Sequence, residues 1–294
     1  MSVAAVPKPS TRSPRGELVN VGGRRLRVVR AGPADSPRPT IILEHGAFGC
    51  ATDWAVVQER LAAKDLASIA YDRAGLGHSD PGPTPRDGRA IVADLAALLD
   101  TLEETEPVVL VGHSMGGLMV RLFTLTHPKR VLGVVLVDAV TPEVMASAIG
   151  AGAVKTFGRL MRLASHGARF GMLRPVAVFA GDRILLHREA SAEKRRIWGS
   201  PSHAHWASEE VAQWPATSDQ AAAKEFPAPL PIAVVTAGET TATALKEIQM
   251  IPAVASQRGY IEHVPRAGHA SLLGRKFADP IVRGVEHVLA AVQR

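Results

Sequence analysis

A serine between two glycines is the part of this sequence with the clearest chemical meaning. Residues 112–116 read Gly-His-Ser-Met-Gly, with Ser114 at the centre, and the apolar run 108–111 precedes them. An apolar stretch suited to a helix, 118–123, follows. This strand–turn–helix context is typical of a nucleophile elbow, a tight turn that exposes a serine hydroxyl. A Cβ two residues before or after the serine would clash there, so the turn needs glycine at both positions.

The elbow predicts two parts of an acyl-transfer site. Ser114 would supply the nucleophile, and the backbone N–H of Met115 would lie at the start of the next helix. That N–H and the positive end of the helix dipole would together stabilise an oxyanion. A serine hydroxyl is a poor nucleophile near neutral pH, so the site also needs a base and a group that orients the base.

His269 is the predicted base. It lies in a glycine-containing loop after the last predicted strand, 260–264, and before the last predicted helix. Such a loop can bring an imidazole back over the sheet to Ser114. His113 belongs to the elbow turn itself. His203 and the neighbouring histidine at 205 have a spacing that suits a metal, but we find no third ligand and interpret them as surface residues.

Length and composition predict a soluble globular protein. The chain has 294 residues, of which 46% are hydrophobic and 21% charged, and it can bury a large core. No apolar run approaches the ~20 residues of a membrane span, and no signal peptide is evident. We therefore expect a cytoplasmic protein without an integral membrane segment, and the single Cys50 fits a reducing compartment.

The net charge of +6 does not predict nucleic-acid binding. Residues 1–30 hold seven basic residues and one acidic residue, which accounts for the whole charge, and aromatic residues make up only 4% of the chain. A nucleic-acid site would need a basic face with groups that stack on bases. The sequence makes no prediction about the oligomeric state.

Apolar strands alternate with amphipathic helices along most of the chain. A hairpin is predicted around Gly22-Gly23, and continuous apolar strands are predicted at 40–44, 66–71, 108–111, 131–137 and 232–237. Continuous apolar strands separated by helices indicate a parallel sheet that is covered on both faces.

This alternation stops after residue 141 and resumes after Phe226. The intervening residues contain short helical stretches and no convincing long strand. We therefore predict a disordered tail at 1–16 and an inserted helical cap or lid at 141–226. The core consists of two segments, 17–140 and 227–294. A cap inserted there would lie over the carboxyl ends of the strands, where such sheets place their sites.

Four motifs make residues 18–294 resemble the α/β-hydrolase superfamily. They are His45-Gly46-Ala47-Phe48, the run from Tyr71 to Ser79, the elbow, and Gly268-His269. The resemblance implies an α/β-hydrolase fold, with a mostly parallel central sheet flanked by helices and an inserted helical cap. It also implies a second oxyanion donor, the backbone N–H of Ala47 or of its neighbour Phe48, acting with Met115. Asp72 and Arg73 would hold that loop in place.

The sequence leaves the acid of the triad open. Family members commonly carry an aspartate in a Gly-X-X-Asp turn after the cap, but here the turn ends in Thr241. A subset of the family takes its acid from the end of the sixth strand, where Asp138 follows an apolar run. A buried carboxylate there needs a cation, which His269 would supply. We predict Asp138, with Glu239 as the alternative and a lost or unusual acid as the third possibility.

These residues predict a carboxylesterase-like serine hydrolase. It would cleave an ester-like (acyl) bond of a small, partly apolar substrate through an acyl-enzyme, and it requires no metal or organic cofactor. Serine at the elbow argues against the haloalkane dehalogenases and epoxide hydrolases of the family, which use aspartate there. A carbon–carbon bond hydrolase, a lactonase, a thioesterase, a perhydrolase and a non-catalytic small-ligand receptor are the alternatives.

Overall fold

The central element is a mostly parallel sheet. The computed structural model describes residues 14–173, 175, 183–238 and 243–293, and these contain eight strands. They are β1 Glu17–Asn20, β2 Arg25–Ala31, β3 Ile41–Glu44, β4 Ser68–Tyr71, β5 Val108–His113, β6 Val131–Val137, β7 Ile232–Ala237 and β8 Gly259–Val264. Most of the predicted tail, residues 1–13, lies outside the described residues.

The strand order is β1-β2-β4-β3-β5-β6-β7-β8. The predicted hairpin is confirmed, because β1 and β2 pair antiparallel around Gly22-Gly23. β2 also pairs antiparallel with β4, and every later pair in the sheet is parallel. The prediction of a parallel sheet from continuous apolar strands is therefore confirmed for β3 to β8.

Helices cover both faces of the sheet. In chain order the helices of the described residues are α1 Ala55–Ala62, α2 Gly88–Thr101, α3 Gly116–Thr126, α4 Pro142–Ala146, α5 Ala148–Arg169, α6 Arg188–Trp198, α7 Pro201–Ala212, α8 Trp214–Ala221, α9 Thr243–Ala255 and α10 Asp279–Val292. Helices α1 and α10 pack in the apolar layer on one face, and α2, α3 and α9 pack in the layer on the other.

The predicted apolar stripes of α2 and α10 face these two layers. Leu95 and Leu98 of α2 and Val285 and Val288 of α10 are almost fully buried. Burying such a side chain contributes about 1.5–3 kcal/mol. The stripes therefore fix both helices against the sheet.

Helices α4 to α8, called here the inserted helices, all lie between β6 and β7 in the chain. Helix α5 has 22 residues and is longer than the short stretches that the sequence predicts. Buried ion pairs tie the insertion to the core: Lys194 Nζ lies 2.6 Å from a carboxylate oxygen of Asp53, and Arg73 lies 2.8 Å from Glu210. Removing one partner of such a pair would leave the other charge buried and unpaired, which is strongly destabilising.

Among the described residues, no helix combines the length and the apolar character that crossing a membrane would require.

Candidate active site

Ser114 lies in a sharp turn between β5 and α3. Its φ of 55° falls in the left-handed region, which is costly for a residue with a side chain. A Cβ on Gly112 would come within 2.7 Å of the Gly116 carbonyl oxygen, and a Cβ on Gly116 would overlap the Glu44 carbonyl oxygen. The steric requirement predicted for the two glycines is confirmed.

The loop after β3 lies directly beside the serine. A Cβ added to Gly46 would come within 2.9 Å of the Ser114 Cβ. Within the described ranges, neither the backbone N–H of Ala47 nor that of Met115 donates a hydrogen bond to a protein acceptor. Both amides are therefore available to a ligand, and both belong to segments adjoining Ser114.

Asp72 and Arg73 hold this loop, as the resemblance implies. Arg73 donates to the carbonyl oxygens of His45 at 2.6 Å and Gly46 at 3.0 Å. Asp72 accepts a 2.7 Å hydrogen bond from the backbone N–H of Ala51. These bonds to charged groups are stronger than neutral ones, so they fix the backbone on both sides of Ala47.

Asp138 and His269 are joined by a short hydrogen bond. Asp138 directly follows β6, and its backbone N–H donates to the Val235 carbonyl at 2.7 Å. One carboxylate oxygen accepts from the Ala237 N–H at 3.1 Å, and the other lies 2.6 Å from His269 Nδ1. With the proton on Nδ1, the basic lone pair of the imidazole is on Nε2.

The charge of Asp138 depends on this histidine. Burial alone would raise the pKa of the carboxyl group, but the hydrogen bond and charge of His269 outweigh burial and lower its pKa below the ordinary value. Asp138 is almost fully buried, whereas the His269 side chain is 43% exposed. The pair therefore has an ionised acid inside the protein and an imidazole at the surface of the site.

His113 connects the elbow with the loop that carries His269. The two imidazole rings are in contact, with centroids 4.6 Å apart and planes tilted by 35°, and His113 Nε2 donates to the His269 carbonyl oxygen at 3.0 Å. Burial and the neighbouring His269 lower the pKa of His113 to about 3, so its ring stays neutral. The residue next to Ser114 thus fixes the backbone of His269, a role that the sequence did not reveal.

Three side chains of the inserted helices converge on the Phe48 carbonyl oxygen. Lys194 donates at 3.3 Å, Trp198 Nε1 at 3.1 Å and His203 Nε2 at 3.3 Å. Phe48 itself has a φ of 56°. Its carbonyl belongs to the segment that also carries the Ala47 N–H, so the insertion helps to fix the conformation of this loop.

The interpretation of His203 as a surface residue is wrong. Its side chain is buried, and its Nδ1 accepts a 3.0 Å hydrogen bond from the Gly77 N–H. The proton is therefore on Nε2, which donates to Phe48. Burial lowers the pKa of His203 to about 3. No local pattern could have shown this, because its partners lie far away in the chain.

A buried apolar cluster adjoins the elbow. Met115 and Met119 pack with Met161 of α5, and Trp214 stacks on Phe157 with ring centroids 5.5 Å apart. The Trp214 indole N–H also contacts the sulfur of Met115. The segment that carries Met115 and the inserted helices thus share one apolar cluster.

The alternative acid, Glu239, lies outside the described residues, as does Thr241. Within the part of the chain that the structure describes, no three His, Cys, Asp or Glu side chains are grouped as a metal site would need.

The chain matches the family model for the alpha/beta hydrolase fold over residues 39–271, and it belongs to this family. A non-heme chloroperoxidase of Streptomyces lividans is 36% identical over 133 residues, which cover 45% of this chain and 47% of that protein. An AB hydrolase superfamily protein of Gibberella zeae is 35% identical over 116 residues, 38% of this chain and 36% of the relative. The chain thus matches less than half of the length of these two relatives.

Solved structures extend the likeness to nearly the whole chain. A thermophilic esterase from Thermogutta terrifontis superposes with a TM-score of 0.68 over 96% of this chain and 100% of that one. Its sequence identity is 19%, so the comparison shows the fold alone.

Proposed function

We propose that this protein is a serine hydrolase that cleaves ester-like acyl bonds through Ser114, His269 and Asp138. The observation that carries the proposal is the 2.6 Å bond between His269 Nδ1 and Asp138, at strand ends next to the Ser114 elbow. A buried carboxylate bonded to an exposed imidazole is the arrangement that orients a general base. Membership of the alpha/beta hydrolase family agrees with a hydrolytic reaction.

The reaction would proceed through an acyl-enzyme. Ser114 Oγ attacks the acyl carbon while its proton passes to His269 Nε2, and the negative oxygen is held by the N–H groups of Ala47 and Met115. The tetrahedral intermediate then breaks its bond to the alcohol, which takes the proton from His269. Water then attacks the acyl-enzyme while His269 accepts its proton. The second tetrahedral intermediate breaks its bond to Ser114 Oγ, which takes this proton back from His269 as the acid is released.

The inserted helices would act as a cap, with the boundaries 141–226 predicted from the sequence. Their apolar cluster at Met161 and Trp214 lies against Met115. An acyl chain held next to this cluster would exclude water from the oxyanion, which strengthens the hydrogen bonds that stabilise it. The proposed substrate is accordingly a small ester with an apolar acyl part.

A panel of esters with graded acyl length tests this function. Ser114→Ala, which removes only the hydroxyl oxygen, should lower kcat/KM on the best substrate by on the order of 10⁴-fold. Thermal unfolding of the variant serves as the folding control. Comparable hydrolysis by a folded Ser114→Ala protein, or no hydrolysis of any ester by the wild type, would contradict the proposal.

A further inference from the structure

Helix α5 of the insertion has three faces rather than two. Its inner face, with residues at i, i+4 and i+11, is formed by Phe157, Met161 and Ala168, which are half-buried or buried. Phe157 and Met161 belong to the apolar cluster beside the serine elbow. An amphipathic helix of a globular protein normally has one such face and a polar remainder.

A second apolar face of α5 is turned to solvent. Ile149, Leu160 and Leu163 lie at i, i+11 and i+14, which places them on one side of the helix, and they are 51%, 55% and 71% exposed. Phe170 and Met172 follow directly after the last turn and are 84% and 64% exposed. A cluster of large exposed apolar side chains of this kind marks an interaction site.

A basic face borders this apolar face. Lys155, Arg159, Arg162 and Arg169 follow the i, i+4, i+7 and i+14 positions of one helical stripe, and all four are exposed. Within the described residues none of the four forms an ion pair. The sequence has no acidic residue between Glu143 and Asp182, so nothing along α5 offsets these charges.

We propose that this outer surface of α5 docks on an anionic phospholipid surface. Apolar side chains beside a stripe of Lys and Arg are the combination that lets a helix lie in a lipid interface: the apolar groups enter the acyl region and the cations meet the headgroups. The opposite face of α5 contacts the cluster around Met115. Docking would therefore bring the proposed site close to lipid-dissolved acyl compounds.

The charge distribution favours a lipid surface over a second copy of this chain. A symmetric dimer through this surface would oppose the two basic stripes to each other, and like charges in close contact are unfavourable. Anionic headgroups would instead neutralise them. The inference goes beyond the proposed hydrolysis and does not depend on it, because binding can be measured without turnover.

Vesicle co-sedimentation tests the inference. The wild type and Ser114→Ala should both bind vesicles in which roughly one third of the lipid is phosphatidylglycerol, and bind pure phosphatidylcholine at least about tenfold more weakly. Leu163→Glu/Phe170→Glu and, separately, Arg159→Gln/Arg162→Gln should each weaken binding to the anionic vesicles about tenfold or more. Added salt should weaken the wild-type interaction.

Two double variants provide matched controls. Ile251→Glu/Val254→Glu places the same charges on exposed apolar positions of α9, and Lys129→Gln/Lys276→Gln removes two exposed cations elsewhere. Both should bind as the wild type does, and thermal unfolding should show that every variant is folded.

The proposal is overturned if the wild type binds neither kind of vesicle or binds both equally, or if the controls lose as much binding as the α5 variants. A dimer in sedimentation equilibrium that Leu163→Glu/Phe170→Glu abolishes, without vesicle binding by the wild type, would overturn it in favour of a second copy. Vesicle binding by the wild type but not by Ser114→Ala would also overturn the proposal, because the contact would then involve the proposed active site.

Discussion

Asp138 is ionised although it lies at the buried end of a strand, where a carboxylate without partners would be unfavourable. Desolvation penalises the ionised form, and the carboxylate is retained because His269 and the Ala237 N–H both hydrogen-bond to it. The same bond fixes the proton of His269 on Nδ1. His269 thus keeps Asp138 ionised, and Asp138 sets the tautomer of His269.

Replacing Asp138 tests this mutual dependence. Asp138→Asn keeps the shape of the side chain but can turn its N–H₂ group towards His269 Nδ1, which would favour the wrong tautomer. We expect kcat on an ester to fall about 10³-fold or more. Glu239→Gln, the matched amide variant at the alternative acid, should change kcat by less than about threefold. A larger loss in Glu239→Gln would transfer the role of the acid to that residue.

Local patterns in the sequence were enough to predict the Ser114 elbow, the His269 loop and the order of strands and helices. Each depends on neighbouring residues: two glycines at fixed spacing, or an apolar stripe. The interactions of Asp138, His203 and Lys194 depend instead on which segments the folded chain brings together. The length of α5 was missed for a different reason, because its apolar residues occupy two faces and show no single stripe.

At the scale of elements, the insertion supports the loop beside Ser114. Helices α6 and α7 supply Lys194, Trp198 and His203 to one carbonyl oxygen. Burial disfavours the ammonium of Lys194, but Asp53 raises its pKa and keeps it charged. The left-handed φ of Phe48 is unfavourable for a residue with a side chain, and these donors help to hold the loop in that conformation.

Trp198→Phe removes one of these donors and keeps an aromatic ring against Phe48. We expect kcat to fall severalfold with little change in KM, because the loop would place the Ala47 N–H less well for the transition state. The free energy of unfolding should drop by about 1 kcal/mol. Trp206→Phe, which packs against Gly75 instead, is the control and should leave kcat unchanged. Equal kcat values for the two variants would refute a positioning role for Trp198.

At the scale of the whole molecule, buried histidines link folding to pH. Burial lowers the pKa of His45, His113 and His203, the last two to about 3. The unfolded chain binds their protons at about pH 6.5. Between these values the unfolded state holds more protons, so their contribution to stability is complete above pH 6.5 and is lost as the pH falls. Burial raises the pKa values of Glu44 and Asp53, so their contribution to stability changes with pH in the opposite direction and is lost as the pH rises.

A variant of His203 separates the contribution of this histidine to the pH dependence of stability from the contributions of the other groups. His203→Gln cannot take up a proton in this range, and its amide can still donate to Phe48. Between pH 6.5 and 4.5 the free energy of unfolding of the wild type should fall more steeply than that of the variant, by up to about 1.4 kcal/mol per pH unit. Exposed His166→Gln is the control. If the free energy of unfolding changes with pH in the same way in His203→Gln and in the wild type, His203 does not contribute to the pH dependence.

The central claim is that Ser114 is a nucleophile activated by His269. A fluorophosphonate, which reacts much faster with an activated serine than with other side chains, tests it directly when the adduct is located by peptide mass spectrometry. We predict a single adduct on Ser114 in the wild type, and labelling at least 10³-fold slower in folded His269→Ala. An adduct on another residue, or a folded wild type that remains unlabelled, would contradict the claim.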